Sequence, residues 1–263
     1  MVMAFAACVG AALSCIYPIA ELATRADGGD AEAGVGDGEA GVLEECNAPD
    51  LVAAWKFDEG EGGVAHDCTG HGFDALLKAD AGWAPGKSGG ASLDLTPVNL
   101  TAGAFAEVST PDGLRFAGPI TVASRVFYRS FGYAGRIFAS STYASDLGLE
   151  LTGEVPGFFS AILYQDLPDG NFIETHSDTQ PGTTLTWMHV ALVFDGASLK
   201  TYRDGKLEGN ESTPSGLTRR VGLQPVFIGR RTDCCFLDGR IDDLRVYRRA
   251  LTSEEIAALA SAP

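Results

Sequence analysis

The chain has 263 residues, 45% of them hydrophobic, and 35 acidic against 19 basic side chains give it a net charge of −16. That length holds one sandwich of roughly 200 residues plus an extension, with the apolar content of an ordinary globular protein. An acidic body argues against nucleic acid or an anionic membrane held through a basic patch.

Residues 1–20 carry no charge and are too short a run to span comfortably as a membrane helix. They read as the hydrophobic region of an export signal. Small residues before Cys15, and before Cys8, resemble a lipoprotein cleavage box, and Cys15 is the better lipidation candidate of the two. An ordinary cleaved signal is the alternative. Residues 21–50 hold nine acids and one Arg, which is half of the net negative charge. Their Gly, Ala and acidic composition cannot repay its ordering entropy, so this stretch reads as a disordered linker that tethers a domain of residues 51–263.

The domain opens on Leu51-Val-Ala-Ala-Trp-Lys-Phe-Asp-Glu-Gly-Glu-Gly62, a strand followed by an acidic Gly turn. Pro85-Gly-Lys-Ser-Gly-Gly-Ala-Ser-Leu-Asp94 follows it. Trp187-Met-His-Val-Ala-Leu-Val-Phe194 leads into Leu199-Lys-Thr-Tyr-Arg203, and Asp204-Gly205 is a strong hairpin signal because a type I′ turn needs positive φ at both positions. Near the end, Arg240, Asp242, Leu244 and Val246 alternate with Ile241, Asp243, Arg245 and Tyr247, which is the period of a strand. Thr252 then stands three residues before Glu255 as a capping box, with Ile256 and Leu259 on one face of a short helix over 252–260.

Together these segments resemble the laminin-G-like, concanavalin A-like jelly-roll domains of secreted bacterial proteins. The resemblance implies an all-β fold, a two-sheet antiparallel sandwich with a short C-terminal helix, in which strand 51–57 pairs with strand 239–247. It implies a non-catalytic module for glycan or extracellular protein, exported and monomeric, that needs no cofactor. Family members often carry a structural calcium, for which Asp58, Asp74 and Asp242 are the available carboxylates. His71 and Phe73 stand where relatives have Asn, and so remove oxygen donors that a hard cation wants. Arg125 stands where relatives commonly carry Trp. Trp55, Trp83 and Trp187 match scaffold positions and read as core.

The jelly-roll fold also hosts hydrolases, so function has to be argued from a site. No Glu is followed two residues later by Asp, which leaves out the paired-carboxylate strand of jelly-roll glycosidases. No His-Glu-x-x-His or phosphate-binding Gly-x-x-x-x-Gly-Lys-Ser/Thr loop is present either. His176 and His189 are lone histidines. For binding, the mixed aromatic and polar stretches 128–136 and 163–172 supply Tyr128, Arg129, Phe131, Tyr133, Tyr164 and Asp166 as candidates. A packing domain without its own ligand and a divergent glycoside hydrolase are the alternatives.

Cys46, Cys68, Cys234 and Cys235 form an even set in a domain expected to be exported, so disulfides are expected, with three possible connectivities. The family's strand order favours Cys46–Cys68 and leaves Cys234 and Cys235 as a vicinal or unpaired couple. A zinc reading of His66, Cys68 and His71 is the weaker one, because four ligands would have to converge.

Overall fold

The computed structural model describes residues 46–263 apart from 100, 110–111, 133, 141–148, 155–156, 223–224 and 233. The charge-free segment 1–20 with Cys15, linker residues 21–45 and the binding candidate Tyr133 lie outside the described residues.

Two antiparallel sheets face each other. The first runs Lys206–Ser212, Ser198–Arg203, Trp187–Phe194, Ile120–Ser130, Asp238–Tyr247, Ala91–Leu95 and Gly82–Pro85, and Leu51–Trp55 also pairs with Asp238–Tyr247. The second runs Phe172–Asp178, Phe159–Asp166, Leu149–Gly153, Arg136–Ala139, Val226–Ile228, Phe105–Val108, Ala75–Lys78 and Val64–Ala65. The short strand Thr218–Arg219 also pairs with Phe159–Asp166. This is the expected jelly-roll sandwich. Opening and closing strands pair antiparallel, with Trp55 opposite Leu244. Among the described residues no helix is long and apolar enough to cross a membrane.

Inward-facing residues of both sheets make one core that includes Trp55, Leu93, Val122, Tyr128, Ile137, Leu151, Phe159, Leu192 and Ile241. The closing strand does not keep the simple alternation of its sequence. Its register shifts between Asp242 and Arg245, and Asp243 sits at φ 51°. That bulge puts Ile241, Leu244 and Val246 all in the core. An extra residue on one strand reverses the facing of everything after it. Leu244 and Val246 therefore do not share a face with Arg240 and Asp242.

The helix Ser253–Ser261 starts at the expected capping box, with both reciprocal bonds present. Arg249 grips the Glu255 carboxylate through two bonds of 2.6 and 2.7 Å. Ile256 and Leu259 bury against Ala123, Ala191, Val193 and Tyr247 on the outer face of the first sheet. Arg125 closes the other end. Its guanidinium donates to the carbonyls of Leu259 at 3.2 Å and Ala262 at 2.6 Å. These are orphan acceptors at the negative end of the helix dipole, so the side chain that departs from the family pattern serves as a helix clamp.

Cys46 bonds to Cys68 and Cys234 to Cys235. Cys68 N donates to Ala54 O at 2.9 Å, so the 64–68 segment runs back along the opening strand as expected. The disulfide takes Cys68 out of any zinc set. His66 contacts Asp74 at 3.1 Å, while His71 contacts the Val52 carbonyl at 2.8 Å. Among the described residues no three His, Cys, Asp or Glu side chains group as metal ligands.

Replacing Arg125 by Ala leaves the last helical carbonyls without their charged donor. The expected cost is about 2 kcal/mol, or a fall in Tm of roughly 5 °C in thermal circular dichroism for a domain this size. His189 lies beside Arg125 in the same buried layer. Burial, reinforced by the Arg125 charge, pushes its pKa down to about 3 from 6.5. The unfolded chain then binds the extra proton between those values, so this histidine removes stability as pH falls from about 6.5 toward 3. Urea unfolding at pH 7 and pH 5 is expected to show a smaller acid loss in His189→Gln than in the wild type.

Candidate functional site

The six binding candidates do not form one surface. Tyr128 is 0% exposed, its hydroxyl donates to Gly135 O at 2.6 Å, and its ring stacks on Phe131 at 4.6 Å. Both rings belong to the core between the sheets, because these positions fall on the inward phase of a strand and the residues just after it. They are corrected from ligand contacts to packing. Arg129 faces the outer side of the first sheet, where it is bound to Asp94, to Asp238 at 3.3 Å and to Leu95 O at 2.8 Å. Tyr164 is buried on the outer side of the second sheet. Burial and the nearby Glu150 and Glu174 charges hold its hydroxyl well above the usual phenol range. Asp166 is exposed at the end of that sheet and pairs with Arg220 at 3.1 Å.

The outer side of the second sheet carries a charged network absent from the sequence expectations. Glu150 is 0% exposed; Arg136 Nε donates to it at 2.6 Å and Arg231 Nη1 lies 3.7 Å away. Arg136 Nη1 reaches Glu154 at 3.2 Å, and Thr152 Oγ1 donates to the same carboxylate at 3.2 Å. Burial raises the Glu154 pKa, and Arg136 opposes the rise. Across the ladder Glu150 stands opposite Ile162, which stands opposite His176. Burial disfavours the His176 imidazolium, but its hydrogen bond to Glu174 and the charges of Glu174, Asp178 and Glu154 together raise its pKa. Glu150 and Glu154 lie on one strand and its end, four residues apart. They lack the Glu-x-Asp spacing, yet Glu-x-x-x-Glu along a strand also puts two acids on one face.

The outer side of the first sheet has a different character. Trp187, Phe127, Arg240 and Asp94 stand opposite one another in successive strands. The Phe127 and Trp187 rings lie 5.7 Å apart at 53°, and the Arg240 guanidinium sits 5.4 Å from the Phe127 ring centre. All four are half-buried. Leu185, two residues before Trp187, is 67% exposed. Trp187 is therefore not core, as the sequence reading had it. Trp55 is core and donates its indole N–H to Phe73 O at 2.8 Å. Trp83 is half-buried against that core, its N–H bonded to Gly62 O at 2.9 Å.

Of the three carboxylates considered for calcium, two come together. Asp242 accepts from Lys87 N at 3.0 Å and Asp58 from Ala91 N at 3.2 Å, so both hold the loop between Gly82–Pro85 and Ala91–Leu95. A side chain at Gly86 would strike Asp242, and one at Gly90 would strike Asp58. Burial, with repulsion from Asp243 and Asp58, pushes the Asp242 pKa up to about 6. Asp74 is elsewhere: it accepts from Asp67 N at 2.9 Å and faces His66.

Solved structures share this architecture. Domain 4 of AbnA, a GH43 extracellular arabinanase from Geobacillus stearothermophilus solved with arabinotriose, superposes with a TM-score of 0.58 at 19% identity, over 81% of this chain and 98% of that one. The binding domain of botulinum neurotoxin DC in complex with SialylT gives a TM-score of 0.61 at 10% identity, over 82% of this chain and 52% of that one. A Trypanosoma rangeli sialidase in complex with sialic acid gives 0.57 at 18%, over 80% of this chain but only 32% of that one. At such identities the likeness is one of fold. No curated protein matches the chain. The family model of the laminin G type, described as the concanavalin A-like lectin/glucanases superfamily, matches residues 102–257, which is more than half of the sequence. With its two sheets and capped helix in the expected order, the chain belongs to the concanavalin A-like lectin/glucanases superfamily.

Proposed function

We propose that this chain is an exported, monomeric, non-catalytic recognition module that binds neutral glycan on the outer face of its first sheet. The observation that carries the reading is the row Trp187, Phe127, Arg240 and Asp94. Two half-buried rings offer apolar faces to the C–H side of a sugar. Beside them Arg129 and Arg240 are balanced by Asp94 and Asp238, so the rim holds fixed donors and acceptors without net charge. Such a rim suits hydroxyl groups. Solved neighbours that hold arabinotriose or SialylT support a glycan ligand, with an extracellular protein as the alternative partner class.

The absence of catalysis is supported by the second sheet. A glycosidase needs one acid to give a proton and a second carboxylate free to attack or to activate water. Glu150 is sealed from solvent, and it shares Arg136 with Glu154. Export is supported by the charge-free start of the chain and by the two disulfides. Lipidation of Cys15 and tethering through residues 21–50 belong to the same reading.

Calcium enters as part of this proposal. Asp58 and Asp242 fit a hard cation as two carboxylates over a Gly-lined loop, and an ion there would brace residues 86–91 and offset their mutual repulsion. Asp74 has no part in it.

A glycan array is expected to show binding that falls at least tenfold in Trp187→Ala and Phe127→Ala. Both variants are to be checked for an unchanged fold by circular dichroism. Turnover of the bound glycans, or affinity indifferent to both substitutions, would count against the proposal. Thermal unfolding in millimolar calcium is expected to give a Tm several degrees higher than in chelator, by mass action on the folded state. Asp242→Asn should abolish the difference and Asp74→Asn should keep it; identical curves for the wild type would remove the ion from the account.

A further inference from the structure

Given the glycan reading of the first sheet's outer face, on which this rests, we infer that the Trp187 row takes a linear neutral oligosaccharide of at least three residues. The chain lies across the strands and is held along its length rather than by one end.

The row crosses the sheet. Trp187 stands opposite Phe127, Phe127 opposite Arg240, Arg240 opposite Asp94, and Asp94 opposite Gly82. From Trp187 to Asp94 it covers three strand spacings, roughly 14 Å. Three flat groups follow one another along it. The Phe127 ring lies 5.7 Å from the Trp187 ring, and the Arg240 guanidinium lies 5.4 Å from the Phe127 ring centre. A sugar residue advances a linear chain by about one strand spacing. Successive residues of a chain laid along the row therefore meet successive planes, and the next one meets the Asp94 carboxylate.

One side of the row is walled. Two positions along the strands lie His189, Arg125 and Asp242, themselves opposite one another and only 5 to 8% exposed. The helix end covers Arg125, which donates to the Leu259 and Ala262 carbonyls. The 86–91 loop covers Asp242, whose carboxylate accepts from Lys87 N. The Trp187 row itself is half-buried. The cover therefore stops between two adjacent rows and leaves a ledge that runs across the strands. On the other side stand Arg129 and Asp238, 3.3 Å apart, with Ser130 Oγ donating to Asp238 at 2.8 Å. These fixed polar groups border the row along its length, where the hydroxyls of a chain would lie.

The described residues close neither end. Beyond Trp187 the neighbouring strand Ser198–Arg203 reaches only to Val190, three residues short. At the far end a Cβ on Gly82 would meet no described atom within 4 Å. An enclosed pocket takes most of a ligand's surface out of water, whereas an open ledge covers one face of each sugar. One ring alone buries too little here, so affinity has to accumulate along a chain.

Arabino-, xylo- and cello-oligosaccharides of one to six residues are to be titrated into the full chain by calorimetry. Affinity is expected to rise at least tenfold from the mono- to the trisaccharide and less than twofold from the tetra- to the hexasaccharide, as the planes run out. Reducing the terminal sugar of the hexasaccharide to its alditol should change affinity less than twofold. Arg240→Ala removes the third plane and should lower the ratio of tetrasaccharide to disaccharide affinity at least threefold; a loss of folded protein would lower both together. If that variant does not fold, Arg240→Met, which keeps the apolar stem beside Phe127, takes its place. No binding in any series, equal affinity for mono- and tetrasaccharide, loss of binding on reduction of the end, or a ratio indifferent to the Arg240 variants would each overturn the inference. Array binding of a single terminal sugar that is lost in Trp187→Ala would leave the recognition function standing while removing the extended site.

Discussion

The molecule depends on one strand. Asp238–Tyr247 is the last strand in sequence, yet it lies inside the first sheet, paired with Ile120–Ser130 on one side and with both Ala91–Leu95 and Leu51–Trp55 on the other. Its two neighbours on that second side share it end to end, and the bulge at Asp243 lies between them. Before the bulge the strand aligns with Leu93 and Asp94; after it, with Ala53, Ala54 and Trp55. A strand that twists more strongly at one point can serve two partners that leave at different angles. The chain leaving it turns directly into the capped helix, which covers one half of the sheet's outer face and leaves the Trp187 row uncovered.

Much of this was legible because it is local. The capping box and the Asp204-Gly205 turn each fix their own geometry within a few residues, and the structure has both. The bulge was not legible in the same way. Asp is tolerated at positive φ, but so is an Asp on a regular strand, and nothing in Ile-Asp-Asp-Leu says which of the two carboxylates turns aside. The pairing with Leu51–Trp55 decides it, since only the shifted register buries both Ile241 and Leu244.

The sites were less readable for a related reason. Tyr128-Arg-Ser-Phe131 mixes aromatic and polar residues as a binding loop does, but it lies at the end of an eleven-residue strand whose inward phase sends Tyr128 into the core. The same phase sends Phe127 out, to meet Trp187 from a segment sixty residues later in the chain. Arg125 and the helix end meet only through the tertiary fold, more than a hundred residues apart. Strand period predicts which face a residue takes; it does not predict which stranger waits there.

The two disulfides have a consequence for the covalent shape of the chain. One bridge spans 22 residues and the other joins immediate neighbours. In the chain-entropy picture the first contributes about 3 kcal/mol and the second almost nothing, because closing so small a ring excludes few unfolded conformations. Neither bridge connects the two sheets. From residue 69 to residue 233 the polypeptide is an open string, threaded through the sandwich without a single crosslink. Reducing agents therefore act at the Cys46–Cys68 bridge, where they remove about 3 kcal/mol, while the stretch between residues 69 and 233 is held by packing and hydrogen bonds.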